Sequence, residues 1–150
     1  VLSDALAYAN REFEPRAIID LATLTGACSV ALGKWCSGVL GTNDRLVEAL
    51  ERAGTATHER VWRLPLWPEH REFMKGRVAD VKQVGGRDGG TIVAAAFLSY
   101  FVGDTPWAHL DIAPTANTDQ AAAYQPQGAT GVGVRLVVEC LRGWQAAGIV

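Results

Sequence analysis

The segment Ile18-Ile19-Asp20-Leu21-Ala22-Thr23-Leu24-Thr25-Gly26-Ala27 constrains this chain more than any other. An apolar, β-branched run ends in small hydroxyl residues and a glycine, and a second apolar pattern starts at Cys28. A buried strand that delivers its carboxyl end to a turn and passes into a helix reads this way. In open α/β sheets, that end is where backbone groups are left free for a ligand.

The neighbouring segments repeat the alternation. Helical spacing is predicted from Val1 to about Glu12, with Leu2, Leu6 and Ala9 on one face, and Pro15 ends the connection. A strand follows over Ala17–Ala22, then a short helix over Gly26–Leu32 stopped by Gly33, and a strand over Ser37–Gly41. Asn43 or Asp44 is placed to cap a helix whose Leu46, Val47, Leu50 and Ala53 share a face, with Gly54 near its end. Val61–Pro65 reads as extended, and Pro68 opens a charged helix to Lys75. A strand over Val78–Val84, a glycine loop to Gly90, an apolar helix over Thr91–Val102 and a strand over Trp107–Ile112 come next. Pro114–Gln127 reads as a long loop, and a last helix is predicted over Val132–Ala147. Strands separated by helical crossovers predict a three-layer α/β/α domain on a mostly parallel, mixed sheet.

One domain fits the 150 residues, of which 49% are hydrophobic and 20% charged, as in a packed globular chain rather than a disordered one. The formal net charge of −2 and the absence of a basic stripe argue against a nucleic-acid partner. No apolar run approaches a membrane span and no secretory leader opens the sequence, so a cytoplasmic protein is expected. Cys28, Cys36 and Cys140 lack zinc-knuckle spacing and read as small hydrophobes in a reducing compartment. Helical spacing already at Val1 is expected of a chain that opens inside an element, as a fragment does, and lost neighbouring strands would expose sheet edge.

Three segments are expected at one sheet edge: Thr23–Ala27, Val84–Gly90 and Ala113–Asn117. Main-chain groups of Thr23, Leu24 and Gly26 suit a peptide-like ligand, whose donors and acceptors they match; an ordinary strand-to-helix turn is the alternative. His109 and Asp111, two apart on a strand, share a face and form a metal or acid–base pair, or else hydrogen-bond within the fold. Glu69, His70 and Glu72 read as a solvated face. The glycines at 85–90 and at 128, 131 and 133 fit neither a phosphate loop nor a dinucleotide fingerprint.

Taken in order, Val1-Leu2-Ser3-Asp4-Ala5-Leu6, Ala22-Thr23-Leu24-Thr25-Gly26-Ala27, Val61-Trp62-Arg63-Leu64-Pro65-Leu66, Ala79-Asp80-Val81 with Gly85-Gly86, and Trp107-Ala108-His109-Leu110-Asp111-Ile112-Ala113 are specific. Together they resemble the C-terminal part of the catalytic domain of the leucyl aminopeptidase (cytosol aminopeptidase) family, over nearly the whole of residues 1–150. The resemblance implies a hydrolase of peptide metabolism: a metal-dependent exopeptidase, usually hexameric, that removes N-terminal residues, often Leu. It implies two divalent ions, Zn or Mn, that activate a bridging water. The family's metal ligands and catalytic Lys and Arg lie before the segment matching Val1–Leu6, so the resemblance implies no catalytic or metal residue here and an inactive isolated chain. It assigns to Thr23, Leu24 and Gly26 the backbone grip on the peptide, and to Val84, Ala113 and Ala116 the walls of the side-chain pockets. Pro114 stands where many relatives carry Gly, and Ala116-Asn117-Thr118 departs from the usual continuation. The alternatives are a non-catalytic oligomerisation or binding module on the same fold, and an unrelated small-ligand α/β protein.

Overall fold

The computed structural model of the protein describes residues 1–122 and 124–149. In chain order it has α1 (Leu2–Phe13), β1 (Ile18–Ala22), α2 (Gly26–Leu32), β2 (Ser37–Gly41), α3 (Asp44–Thr57), β3 (Val61–Arg63) and α4 (Pro68–Phe73). Then come α5 (Gly90–Leu98), continued as a 3-10 turn over Ser99–Phe101, and β4 (Trp107–Asp111). A small hairpin of β5 (Asn117–Thr118) and β6 (Gly128–Ala129) precedes α6 (Val134–Arg142) and α7 (Trp144–Ala147).

Four strands form one sheet in the order β1-β4-β2-β3. The β1/β4 and β2/β3 pairs are parallel, and β4/β2 is antiparallel, which gives the mixed, mostly parallel sheet read from the sequence. Registration of Ala22 with Asp111 sets the carboxyl ends of β1 and β4 side by side. Antiparallel pairing brings Gly38, near the start of β2, to the same edge.

Strand alternation divides the core between two helical layers. On one face Val39, Ala108 and Leu110 pack against Leu46, Val47, Leu50 and Ala53 of α3 and Leu136 and Cys140 of α6. On the other, Leu40 and Trp107 pack against Leu6 of α1 and Ala95 and Leu98 of α5. Complete burial of each such Leu or Val stabilises the fold by about 1.5–3 kcal/mol relative to exposure. The α3 stripe is therefore the core face that its spacing predicted, and Asn43 is its cap: the Asn43 side chain accepts from Leu46 N at 3.0 Å.

Gly54 lies in the last turn of α3, near its end as expected, and the helix runs on to Thr57. A methyl group at Gly54 would come within 2.7 Å of the Glu59 carbonyl, so the returning chain, not helix termination, requires glycine there.

Three predicted elements differ. The strand over Ile18–Ala22, expected to be buried, is the edge strand β1, half-buried with Leu21 exposed, because β4 covers it on one side alone. Val78–Val84 forms no strand: its link is a single antiparallel bridge between Lys75 and Val81, closed by Gly76 N to Asp80 O at 3.2 Å. Its valines fall three apart, so no single strand face gathers them: Val81 packs against Met74 and Val93, while Val78 and Val84 stay exposed. The final helix breaks at Gly143 into α6 and α7. The long loop expected over Pro114–Gln127 contains β5, and its residue 123 lies outside the described residues.

Candidate functional site

Asp111 organises the sheet edge. Its side chain is completely buried, so its oxygens need protein partners, and it has four. Oδ1 accepts from Leu24 N at 3.1 Å, Thr25 N at 3.4 Å and Ala113 N at 3.2 Å. Oδ2 accepts from Thr25 Oγ1 at 2.6 Å. One carboxylate thus joins the segment leaving β1 to the segment leaving β4, nearly ninety positions apart in sequence. Thr25 is also the N-cap of α2, its hydroxyl accepting from Cys28 N at 3.1 Å.

The second carboxylate of the β1/β4 pair faces the same layer. Asp20 Oδ2 accepts from Trp107 Nε1 at 2.7 Å, and Asp20 Oδ1 is 2.6 Å from His109 Nδ1. Contact with a carboxylate, which accepts, makes Nδ1 the donor of this pair. His109 is completely buried, stacks on Trp107 and leaves Nε2 without a hydrogen-bond partner. Of the two sequence readings of His109 and Asp111, hydrogen bonding within the fold is the one observed: each clamps β1 against β4, and the two do not bond to one another.

The six residues singled out in the sequence fall into two groups. Leu24 and Val84 line a common cavity of about 730 Å³ with Thr25, Val81, Gly85 and Val93. Thr23 and Gly26, which flank them, are exposed. A methyl group built on Gly26 meets no atom within 4 Å, so the backbone there faces open space. Val84 reaches the cavity from the bridged loop, not from a strand end, and is 75% exposed. Ala113 and Ala116 are half-buried and do not line that cavity. Their segment is held by the Asp111 bond to Ala113, by Ala116 N to Ile112 O at 2.9 Å and by Thr130 N to Ala116 O at 3.0 Å. Its other side, at Thr115 and Asn117, lines a separate cavity of about 580 Å³ with Lys34, Arg60 and Tyr124.

Asp111 and Thr25 were not among the six. The bond between them spans 86 positions, and the local signs are an acidic residue closing an apolar strand and a threonine placed to cap α2.

Cys28 lies under this edge. Burial, with the charge of Asp111 beside it, pushes its thiol up to about 11, and its Sγ is 3.7 Å from the Asp111 carbonyl. Burial also raises Cys36 and Cys140. None has the lowered pKa of a nucleophilic thiol.

Among the described residues, no three His, Cys, Asp or Glu side chains converge as ligands. The two carboxylates nearest the edge are engaged, Asp111 by four donors and Asp20 by Trp107 and His109. No helix of the described residues is long and apolar enough to cross a membrane.

A family model described as the cytosol aminopeptidase family, catalytic domain, matches residues 1–138. A probable cytosol aminopeptidase of Geobacter sp. (strain M21) is 61% identical over 142 residues, which cover 95% of this chain and 29% of that protein. One from Roseiflexus castenholzii is 59% identical over 148 residues, covering 98% of this chain and 30% of the relative. The chain therefore spans about three-tenths of the length of these relatives. Among solved structures, the bottromycin maturation enzyme BotP superposes with a TM-score of 0.88 at 39% identity, over 97% of this chain and 32% of that one. A second structure of that enzyme, in complex with Mn, gives 0.86 at 39% identity, over 95% of this chain and 32% of that one.

Proposed function

The chain belongs to the cytosol aminopeptidase family, and on that premise we propose that it supplies the substrate-binding wall of a metal-dependent aminopeptidase. In this reading residues 1–150 are the C-terminal portion of the catalytic domain of a longer polypeptide. Thr23, Leu24 and Gly26 hold the peptide main chain, while Val84, Ala113 and Ala116 border its side chains. Peptides with an apolar N-terminal residue, Leu above all, are the substrates.

The carrying observation is the bare backbone at Gly26, beside a cavity that Leu24 and Val84 share and with no side chain in front of it. A peptide needs such an approach, because its own N–H and C=O groups must come within hydrogen-bond distance of the wall. The wall is stiff enough to orient a ligand, since Asp111 fixes the amides of Leu24, Thr25 and Ala113 together.

In this reading two divalent ions, Zn or Mn, are held by residues outside this stretch, and the Mn named for one structural relative supports a divalent metal. No step of the reaction is assigned to the side chains of this chain. A cytoplasmic homo-oligomer, a hexamer as in the family, is the expected setting.

The test compares two proteins on Leu-p-nitroanilide with Zn or Mn. One is the 150-residue chain; the other is a chimera in which it replaces the homologous stretch of the Geobacter sulfurreducens relative, 61% identical over 142 residues. The chimera should hydrolyse the substrate and the chain alone should not. Turnover by the isolated chain, or a folded, metal-loaded chimera with none, would overturn the reading.

A further inference from the structure

Beneath the wall runs a relay of three side chains, buried at both ends and half-buried at Thr25, that connects all three segments expected at the sheet edge. Thr91, in the first turn of α5, lies 2.9 Å from Thr25 through the two hydroxyl oxygens. Thr25 in turn contacts Asp111 Oδ2 at 2.6 Å, and Asp111 holds the amides of Leu24, Thr25 and Ala113. Proton counting fixes the direction. A threonine hydroxyl has one proton and two lone pairs. The Thr25 hydroxyl donates to Asp111 Oδ2, so its one proton points there. Cys28 N donates to one Thr25 lone pair at 3.1 Å, which leaves the other for the Thr91 proton. Every hydrogen-bonding position of the Thr25 hydroxyl is then filled, each by a different structural element.

The relay reaches the third segment because Thr91 follows directly on the loop that carries Val84. A methyl on Gly90 would stand 3.0 Å from the Ala27 side chain, so the starts of α5 and α2 are in close contact as well. Asp111 and Thr91 are 0% and 4% exposed, so water does not substitute for a lost partner.

We propose that Thr25 is the positioning residue of the site: through Thr91 and Asp111 its hydroxyl holds the backbone grip at Thr23–Gly26, the Val84 loop and the Ala113–Ala116 segment in one fixed arrangement. Thr25 acts through its neighbours; the peptide touches the walls that it aligns. This rests on the peptide-binding reading above. It goes further by naming the device that sets the relative placement of the walls, and hence the fit of the substrate.

The test uses the chimera with a series of leucyl dipeptides and three substitutions, each checked for folding by circular dichroism. Thr25→Val keeps the shape and β-branching but removes the hydroxyl. It should lower kcat/KM by about 30-fold or more, with a rise in KM, since a misplacement of about 1 Å costs on the order of 100-fold. Thr25→Ser keeps the hydroxyl and should recover most of that loss. Thr91→Val frees only the loop that carries Val84, so KM should rise by about 3–10-fold while kcat stays within about twofold. The proposal is overturned if folded Thr25→Val retains the parental kcat and KM, or if Thr25→Ser is as poor as Thr25→Val. If Thr25→Val does not fold, Thr91→Val decides: an unchanged KM overturns the proposal and the stated rise supports it. An unsubstituted chimera without turnover is a failure of the peptide-binding reading itself, and the variants then separate nothing further.

Discussion

Replacing Gly26 by Ala separates a peptide-binding wall from an ordinary strand-to-helix turn. Gly26 is the first residue of α2, its φ lies outside the left-handed region, and an added methyl meets nothing within 4 Å. The fold therefore has no steric objection to alanine. Within a helix Ala is favoured over Gly by about 0.5–1 kcal/mol, and less at a first position, so stability should be unchanged or slightly higher. For a chain of this size, that is a rise in thermal midpoint of about 0–4 °C. The site predicts the opposite for catalysis. The methyl occupies the space through which a peptide main chain would approach, and a displacement of about 1 Å from the productive pose costs about 100-fold in rate. That corresponds to about 2.7 kcal/mol of lost transition-state binding. The assay pairs thermal unfolding of the chain with kcat/KM of the chimera on leucyl dipeptides. Equal or greater stability with a loss of kcat/KM of about tenfold or more is expected. Activity within about twofold of the parent would refute the reasoning, because the bare backbone would then have no ligand to admit.

Two further predictions concern the fold beneath the site. Glu59, almost fully buried, accepts from Gly133 N at 3.0 Å, Leu136 N at 2.9 Å and Arg135 Nε at 3.0 Å, so it caps α6 from a distance. Glu59→Ala should cost about 2–3 kcal/mol and lower the thermal midpoint by about 5–10 °C, with Glu59→Gln losing less; a shift under about 1 °C would show that the cap contributes nothing. Cys28 titrates higher in the folded chain, at about 11, than in the unfolded one. Its contribution is complete below the ordinary thiol range and is lost as pH rises toward about 11, because the unfolded chain ionises first. Stability from denaturant titration should fall over that window, and Cys28→Ala should flatten the fall; an identical slope in both proteins would exclude Cys28 as its source.

Much of this architecture was legible because its signals are local. Trp107–Asp111 shows its burial in composition, and α3 shows it in the spacing of Leu46, Val47, Leu50 and Ala53, whereas the equally apolar Ile18–Ala22 lies at the sheet's edge and is only half-buried. The cap of α3 was legible too, since Asn43 and Leu46 are near neighbours. What escaped was long-range or depended on a missing partner layer. The β-branched valines of Val78–Val84 imitate a strand, but a strand needs a neighbour to pair with along its length, and the segment has one bridge. Gly54 was legible as lying near the end of α3, but the need for glycine there comes from the Glu59 carbonyl packed against it. The α6 cap is invisible locally because Glu59 lies more than seventy positions upstream. Asp111 is the same case at the site. Its position on a strand was evident, whereas its hold on Leu24 and Thr25 follows only from the parallel β1/β4 register.

The central claim is that a peptide lies against the main chain of Thr23–Gly26. The most direct measurement is a crystal structure of the chimera with a non-hydrolysable leucyl dipeptide analogue. The account predicts peptide N–H and C=O groups within about 2.7–3.2 Å of main-chain atoms of Thr23, Leu24 or Gly26, with the Leu side chain toward Ala113 and Ala116. An analogue bound elsewhere, with this backbone still open, would contradict it.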